Sequence, residues 1–99
     1  MLSVQLQHDI KKTVTWALCE DLGVDNAESL KNSQDITAEL IPAENIAVAN
    51  IITREDCIIC GVAWVNEVFT QLDAIYKTQT NITWFVNDGE SVKANSTLF

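Results

Sequence analysis

The cysteines Cys57 and Cys60 have the spacing with the most obvious chemical potential, because C-x-x-C can hold zinc or form a redox disulfide. Zinc needs four ligands, and the remaining candidates, His8 and Cys19, stand eleven residues apart on one predicted helix, about 16 Å along its axis. They cannot bind one ion. A redox pair would lie at a helix N-terminus, whereas positions i and i+3 of a strand point to opposite faces. We therefore predict structural, buried thiols.

Carboxylates near the end of the first predicted helix form a second group of candidates. Glu20 and Asp21 stand where the helix dipole disfavours negative charge, which indicates a role in docking or in shaping the following loop. Solvated charges before the C-cap, with Asp35 as an N-cap, are nevertheless the favoured interpretation. His8, the only histidine, has no serine, cysteine or metal motif beside it, so we predict a solvated helix flank rather than a general base.

The charge balance excludes several classes of partner. Fourteen acidic residues against six lysines and arginines give a net charge of −8, and Arg54 is the only arginine. Nucleic acids and anionic membranes need clustered cations, so neither is predicted as a partner. The scattered Trp16, Trp64 and Trp84 are predicted to pack in a core or an interface rather than to stack on bases.

Targeting signals are also missing from the pattern. Apolar stretches of about five to eight residues are too short to span a bilayer, and residues 1–10 lack a signal-peptide pattern. Three cysteines, an odd number, favour reduced thiols. The sequence therefore predicts a cytoplasmic protein.

The first half of the chain has one clear element. A helix is predicted from Ser3 to Leu22, with Ser3 as N-cap and Gly23 just past its end. Its apolar stripe consists of Leu6, Ile10, Val14, Ala17 and Leu18. Residues 23–45 lack a period apart from a short helical turn after Asp35. So long a connection is predicted to be functional or packed against another element.

The second half mixes strand and helix patterns. Alternation predicts a β-hairpin of residues 47–54 and 57–60, with its reversal at residues 54–56. After it we predict a helix over 62–72, strands over 75–80 and 82–86, an Asp88-Gly89 turn before Val92, and a last strand from Ser96. The order helix, hairpin, helix and antiparallel strands predicts an α+β domain. Because Phe99 falls inside an apolar strand, we expect a truncation there.

Three ordered blocks covering residues 14–99 resemble the quinolinate phosphoribosyltransferases, also called nicotinate-nucleotide pyrophosphorylases (carboxylating). The first block comprises ALCEDLG (17–23), DITA (35–38) and LIP (40–42). The second block comprises TRE (53–55), CGVAW (60–64) and EVF (67–69). The third block comprises Trp84, DGESV (88–92) and Leu98-Phe99. Asn95 departs from the glycine expected in many relatives, where it would shape a turn.

The resemblance implies an N-terminal domain with an α/β-hammerhead-like motif over residues 1–99, followed by an α/β barrel. The implied enzyme is a pentosyltransferase of NAD biosynthesis. It transfers phosphoribosyl from phosphoribosyl pyrophosphate, with magnesium, to quinolinate and gives nicotinate mononucleotide, pyrophosphate and CO2. In the implied homodimer or higher homo-oligomer, this domain covers the partner subunit's barrel mouth.

The resemblance places the catalytic and substrate-binding residues beyond Phe99. No catalytic, cofactor-binding or metal-binding residue is therefore assigned within residues 1–99, and no cofactor is predicted for this segment. Charge supports this assignment, because quinolinate and phosphoribosyl pyrophosphate need several convergent cations that Arg54 alone cannot provide. The segment is expected to be inactive by itself.

Two alternatives differ in class. DGESV also resembles a hairpin of lipoyl and biotinyl carriers, but such a carrier needs an exposed lysine at a separate hairpin tip. The five lysines are predicted elsewhere: Lys11 and Lys12 on the helix, Lys31 in the long loop, Lys77 in mid-strand and Lys93 in the DGESV segment. The other alternative is a free-standing interaction domain whose exposed apolar end, Leu98-Phe99, completes a partner's sheet.

Overall fold

The computed structural model of the chain describes residues 2–26, 28 and 47–99. These residues form two helices, α1 (Val4–Leu22) and α2 (Val62–Tyr76), and an antiparallel sheet of β1 (Cys57–Ile58) and β2 (Ser91–Val92). This is a small α+β arrangement, as the sequence predicts. The described residues divide into two compact units: a helical unit (2–26, 28 and 63–80) and a strand unit (47–62 and 81–99). The turn predicted after Asp35 and most of the 23–45 connection lie outside the described residues.

Helix α1 has the ends that its sequence predicts. The Ser3 hydroxyl accepts the Leu6 N–H at 3.1 Å, which satisfies one of the unpaired donors of the first turn. Gly23 has a left-handed backbone with φ 71°, and its N–H and that of Val24 donate to the last carbonyls of the helix. Such a cap favours glycine because a Cβ strains that conformation. The bounds Ser3 and Gly23 are therefore confirmed.

The core of the helical unit uses most of the predicted stripe. Ile10, Val14 and Leu18 of α1 pack with Cys19 and with Ile75 of α2. The prediction was wrong for Ala17, which is exposed, and Leu6 is exposed as well. Cys19 is buried instead because α2 packs on the flank of α1 that also carries Thr15, which a periodicity alone cannot identify.

The side-chain amide of Gln71 joins the two helices. Its Nε2 donates to the Lys11 carbonyl of α1 and to Glu67 Oε2 of α2, and its Oε1 accepts the Thr15 hydroxyl, each at 2.9 Å. A partly buried amide with these partners carries no unsatisfied polar group. The contact fixes the register of α2 on α1 in addition to the apolar packing.

Helix α2 is longer than predicted. The predicted strand over 75–80 is wrong, because Ile75 and Tyr76 belong to the last turn of the helix, where Ile75 is only 3% exposed. Leu72, Ile75 and Tyr76 continue the i, i+3, i+4 stripe into the same core. The burial of that stripe outweighs the strand preference of Ile and Tyr. Lys77 follows with φ 53° and ends the helix, so its predicted mid-strand position is also wrong.

The strand unit is built on an antiparallel ribbon of residues 51–59 and 90–98. The pairs at its two ends have the same register, with Ile52 opposite Thr97 and Ile58 opposite Ser91. Main-chain hydrogen bonds continue it on both sides of β1, from Thr53 N–H to the Ser96 carbonyl at 3.1 Å and from Ile59 N–H to the Glu90 carbonyl at 3.0 Å. The predicted hairpin of 47–54 with 57–60 is therefore wrong. Alternation identifies strands but does not identify their partners.

The ribbon is interrupted where the hairpin reversal was predicted. Asp56 Oδ1 accepts the Ala94 N–H at 2.7 Å, in place of a main-chain carbonyl. The same carboxylate lies 3.8 Å from Lys93 Nζ, and both side chains are exposed, so this ion pair adds little. The hydroxyl of Thr53 donates to the Glu55 carbonyl and lies 3.4 Å from Cys57 Sγ. Residues 54–56 and, opposite them, the turn of Lys93–Ser96 thus leave the ladder together, and residues 54–56 do not join two strands.

Two predicted turns in the strand unit are confirmed. Asp88 and Gly89 form a turn closed by Glu90 N–H on the Asn87 carbonyl at 3.1 Å, with Gly89 at φ 85°. However, the chain after this turn pairs with 57–59 rather than with the predicted strand 82–86. Asn95 has φ 69°, a conformation that glycine adopts without strain and asparagine tolerates. This explains why Asn95 can replace a glycine in shaping the second turn.

The carboxylate of Asp73 fixes the chain after α2. Oδ1 accepts the hydroxyls of Thr78 and Thr80 at 2.7 Å each, and Oδ2 accepts the Thr80 N–H at 2.9 Å. Burial raises the pKa of Asp73, but the hydrogen bonds from Thr80 and Thr78 together lower it by more, so its pKa lies below the ordinary value of 3.8.

We predict that Asp73→Asn lowers the free energy of unfolding by about 1–3 kcal/mol at pH 7, because hydrogen bonds to a charged acceptor are lost. A depressed folded-state pKa stabilises the fold above pH 3.8, and that stabilisation is lost as the pH falls through the folded pKa. Urea unfolding at pH 7 and pH 2.5 should therefore show a difference between wild type and variant that shrinks in acid. Asp9→Asn, on an exposed carboxylate with one hydrogen bond from Gln5, is the control. An equal cost of Asp73→Asn at both pH values would contradict the assignment.

Candidate functional site

The three cysteines lie in three different environments. Cys19 is buried, Cys57 is half-buried and Cys60 is exposed. The prediction of buried thiols at Cys57 and Cys60 holds in part for the half-buried Cys57 and is wrong for Cys60, because Ile59 faces the core and the next residue faces away from it. In the described part of the chain, no three His, Cys, Asp or Glu side chains come together as metal ligands.

The candidate site is a cleft at the C-terminal end of α1. It has a volume of about 470 Å³ and is lined by Thr15, Trp16, Cys19, Glu20, Val24, Asp25 and Asn26. The Trp16 indole is 64% exposed, and Lys12 Nζ lies 4.8 Å from its ring centroid. An aromatic face beside carboxylates favours a cation or a hydrogen-bond donor. The Schellman-type cap at Gly23 holds this end of the helix in place.

The polar residues predicted as candidates lie on the surface. Glu20 lines the cleft, and Asp21 is exposed beside it. Their docking role stays a prediction. His8 is exposed on α1, as predicted for a solvated flank. Asp35 lies outside the described residues.

The described cations divide between the two units. Lys11, Lys12 and Lys77 are exposed in the helical unit, and Arg54 and Lys93 are exposed in the strand unit. Recognition of a dicarboxylate or a pyrophosphate needs several cations converging on one point, as in bidentate guanidinium contacts. The strand unit instead has a shallow cleft of about 400 Å³ beside Asp56, Ile58, Ser91 and Lys93.

Core packing is confirmed for Trp84 alone among the three tryptophans, since Trp16 is 64% and Trp64 38% exposed, and their packing in an interface stays a prediction. Trp84 is half-buried, packs against the core of Ile59, Val86 and Val92, and lies 4.3 Å from the Phe99 ring between centroids. Trp16, by contrast, projects from α1 into solvent. The sequence analysis did not predict this difference in burial between Trp84 and Trp16. The available signal was the position of Trp16 near a helix end, one turn before Glu20 and close to Gly23. The sequence analysis also missed Asp56 and Gln71, whose partners lie 38 and up to 60 residues away.

Membrane insertion finds no support in the geometry either. Neither described helix has the length and apolarity that crossing a bilayer requires.

Comparison with known proteins decides the family. The family model described as "Quinolinate phosphoribosyl transferase, N-terminal domain" matches residues 35–99, which are 65 of the 99 residues. The chain belongs to this family. The blocks quoted from the sequence for this N-terminal domain therefore identified it correctly.

Curated relatives of the quinolinate phosphoribosyl transferase N-terminal domain include plant enzymes. "Quinolinate phosphoribosyltransferase [decarboxylating] 2b, mitochondrial" from Nicotiana tabacum is 33% identical over 86 residues, which cover 86% of this chain and 21% of that protein. The corresponding protein 2 of Nicotiana glauca is 31% identical, with the same coverage. "Nicotinate-nucleotide pyrophosphorylase [carboxylating], chloroplastic" from Oryza sativa is 29% identical over 86% of this chain and 20% of its own length. The chain spans about a fifth of the length of these relatives.

We predict that substitutions of Trp84 and Trp16 in this N-terminal domain have different effects on the free energy of unfolding. Trp84→Ala should lower the free energy of unfolding by about 2–4 kcal/mol, because it removes packing from the strand-unit core. Trp16→Ala should change it by less than about 0.5 kcal/mol, since the indole is largely solvated. Denaturant unfolding followed by circular dichroism measures both. A loss at Trp16 as large as that at Trp84 would show that Trp16 is a structural residue.

Proposed function

We propose that this chain is the N-terminal domain of a quinolinate phosphoribosyltransferase of NAD biosynthesis. The full-length enzyme transfers a phosphoribosyl group from phosphoribosyl pyrophosphate to the ring nitrogen of quinolinate, and releases pyrophosphate and CO2 to give nicotinate mononucleotide. The observation that carries the proposal is the family match over residues 35–99. The names of the tobacco and rice relatives support it.

In this proposal the domain supports catalysis without performing it. Its substrates are anions, and binding them requires convergent cations. The chain has a net charge of −8 and one arginine, and its described lysines are exposed. We therefore assign substrate binding to an α/β barrel that follows residue 99. Magnesium would enter with phosphoribosyl pyrophosphate, whose phosphate oxygens supply part of its coordination, and we assign its protein ligands to the same barrel.

The proposed assembly is a homodimer or higher homo-oligomer in which this domain, with its hammerhead-like β-motif, covers the barrel mouth of the second subunit. The acidity of the chain supports this placement, because a mouth that binds anions is basic and attracts a negatively charged cover. The compartment proposed for this protein is the cytoplasm. The names of some relatives place those proteins in mitochondria or chloroplasts.

The alternative functions receive less support. An interaction domain with a free apolar end requires Leu98-Phe99 to be exposed. Instead, Leu98 N–H donates to the Ile51 carbonyl at 2.7 Å, and the Phe99 ring packs on Trp84. A carrier domain requires a lysine at a hairpin tip. Lys93 instead lies 3.8 Å from Asp56 within the ribbon, and Lys77 ends α2.

The full-length protein encoded by the reading frame tests the proposed reaction. Incubated with phosphoribosyl pyrophosphate and magnesium, it should release ¹⁴CO2 from quinolinate labelled in the carboxyl that is lost. Residues 1–99 alone should release none, because they lack the cations that bind the substrates. Nicotinate in place of quinolinate is the control for specificity, followed by formation of nicotinate mononucleotide because its transfer releases no CO2. A frame that closes directly after codon 99, or a full-length protein that consumes neither substrate, refutes the proposal.

We predict that charge reversal at the end of α1 weakens the proposed assembly. In the full-length enzyme, Glu20→Lys with Asp21→Lys should raise the subunit dissociation constant about 10-fold, because two attractive contacts to a basic mouth become repulsive. Analytical ultracentrifugation at low and high salt measures the change, which should decrease at high salt.

The control has the same change in net charge at exposed acids elsewhere, Asp9→Lys with Glu55→Lys. If the two double variants dissociate equally, or if neither differs from wild type in dissociation constant and substrate KM, Glu20 and Asp21 have no docking role.

A further inference from the structure

The first strand of the ribbon is preceded by a segment that pairs with none of the residues the structure describes. The main-chain hydrogen bonds nearest this end of the strand are those of Ile51, and residues 47–50 form none with another described residue. These four residues are all exposed, and Val48 is 90% exposed. The alternation that predicts a strand over residues 47–54 therefore extends beyond the observed pairing.

The composition of this segment is typical of a paired strand. Residues 47–53, AVANIIT, carry no charge, and four of the seven are β-branched. Natural proteins protect exposed strand edges with charged residues or proline, because an unprotected edge pairs with other strands. Residues 47–53 contain neither. The segment therefore has the chemistry of a strand with a neighbour.

The core of the strand unit leaves one of its own side chains exposed at the same end. The Leu98 N–H donates to the Ile51 carbonyl at 2.7 Å, so these residues lie opposite each other and their side chains share a face. Leu98 packs on the core, yet Ile51 is 46% exposed. One more apolar side chain beside Ile51 on this face would bury it.

The direction of the second strand leads it towards residues 47–50. Because the ribbon is antiparallel, this strand runs from the side of Thr53 towards Ile51. The Phe99 carbonyl accepts the Ile51 N–H at 2.9 Å, so the pairing still holds at residue 99. Residues that continue in this direction pass Asn50 and Ala49 without a reversal of the chain.

We propose that the residues directly after Phe99 continue the second strand and pair with residues 47–50 of the same chain. The pairing rests on the proposed function, because it needs the longer chain of a complete enzyme. The curated relatives have about four fifths of their length outside the matched segment. A segment attached at Phe99 has a higher effective concentration at this edge than a second molecule has, which favours it as the occupant.

Amide hydrogen exchange tests the pairing in the unsubstituted full-length enzyme. The N–H groups of Ile51 and Thr53 donate to the second strand, and Ile52 between them forms a non-hydrogen-bonded pair. By the same alternation, the Ala49 N–H points towards the continuing strand and the Asn50 N–H points away from it. Exchange should therefore be slow at Ala49 and fast at Asn50. Equally fast exchange at both groups would overturn the proposal.

Proline substitutions test the same alternation through stability. In the full-length enzyme, Ala49→Pro should lower Tm by about 4 °C or more, because it removes an N–H that the continuing strand accepts. Asn50→Pro is the matched control, since it removes an N–H that points away from that strand, and it should lower Tm by less than about 2 °C. Equal Tm values for the two variants would overturn the proposal. The exchange measurement does not depend on whether either variant folds.

Photo-cross-linking identifies which chain supplies the strand. With p-benzoylphenylalanine in place of Val48 in the full-length enzyme, irradiation should give a product of monomer mass that joins residue 48 to the peptide directly after Phe99. A product of dimer mass that joins two copies, or no cross-link, would overturn the proposal. The same substitution at Val4, which is 83% exposed on α1, is the control and should not reach that peptide.

The two proposals fail in distinguishable ways. An enzyme that releases CO2 from quinolinate but exchanges the Ala49 N–H as fast as that of Asn50 retains the proposed function and loses the strand pairing. A full-length protein without that activity, in which residue 48 cross-links directly after Phe99, loses the function and retains the pairing.

Discussion

The antiparallel ribbon of residues 51–59 and 90–98 is the constraint on which the strand unit depends. Its single register decides which side chains share a face, and so it places Ile59 and Val92 in one core with Val86. The register is the same on both sides of residues 54–56, where the Asp56 carboxylate accepts the Ala94 N–H. A slip by one residue would move every apolar side chain of this core to the opposite face.

The helical unit depends on a different kind of contact. Its buried residues come from two helices whose apolar stripes are local in sequence, and Gln71 adds a polar contact that selects one alignment of α2 on α1. At the end of α2, the Asp73 carboxylate accepts hydrogen bonds from two hydroxyls and a main-chain N–H, and these bonds fix the chain up to Thr80. The side chains of Gln71 and Asp73 are polar groups within an otherwise apolar arrangement, and both have hydrogen-bond partners.

The sequence predicted the features that local rules determine. The caps of α1, the helix from Val62, the turn at Asp88-Gly89 and the turn role of Asn95 follow from short-range sterics and periodicity, and the structure contains each of them. The pairing of residues 57–59 with residues 90–92 could not be predicted from the sequence, because the alternation of side chains along a strand is the same whichever strand is its partner. The exposure of Cys60 and Trp16, and the partners of Asp56, depend on that pairing or on tertiary packing. For the candidate site, the sequence indicated acids at the end of α1 but gave no means of placing Trp16 beside them.

The ribbon also constrains the order in which the chain can fold. Ile58 pairs with Ser91 and Ile52 with Thr97, so the contacts join residues 33 and 45 positions apart, with α2 between them in the sequence. Closing loops of this length costs conformational entropy before any pair contributes, whereas α1 forms from contacts four residues apart. During synthesis the strand unit therefore cannot form until residues 90–99 have left the ribosome. Until then its apolar residues 57–59 must be kept from pairing with other chains.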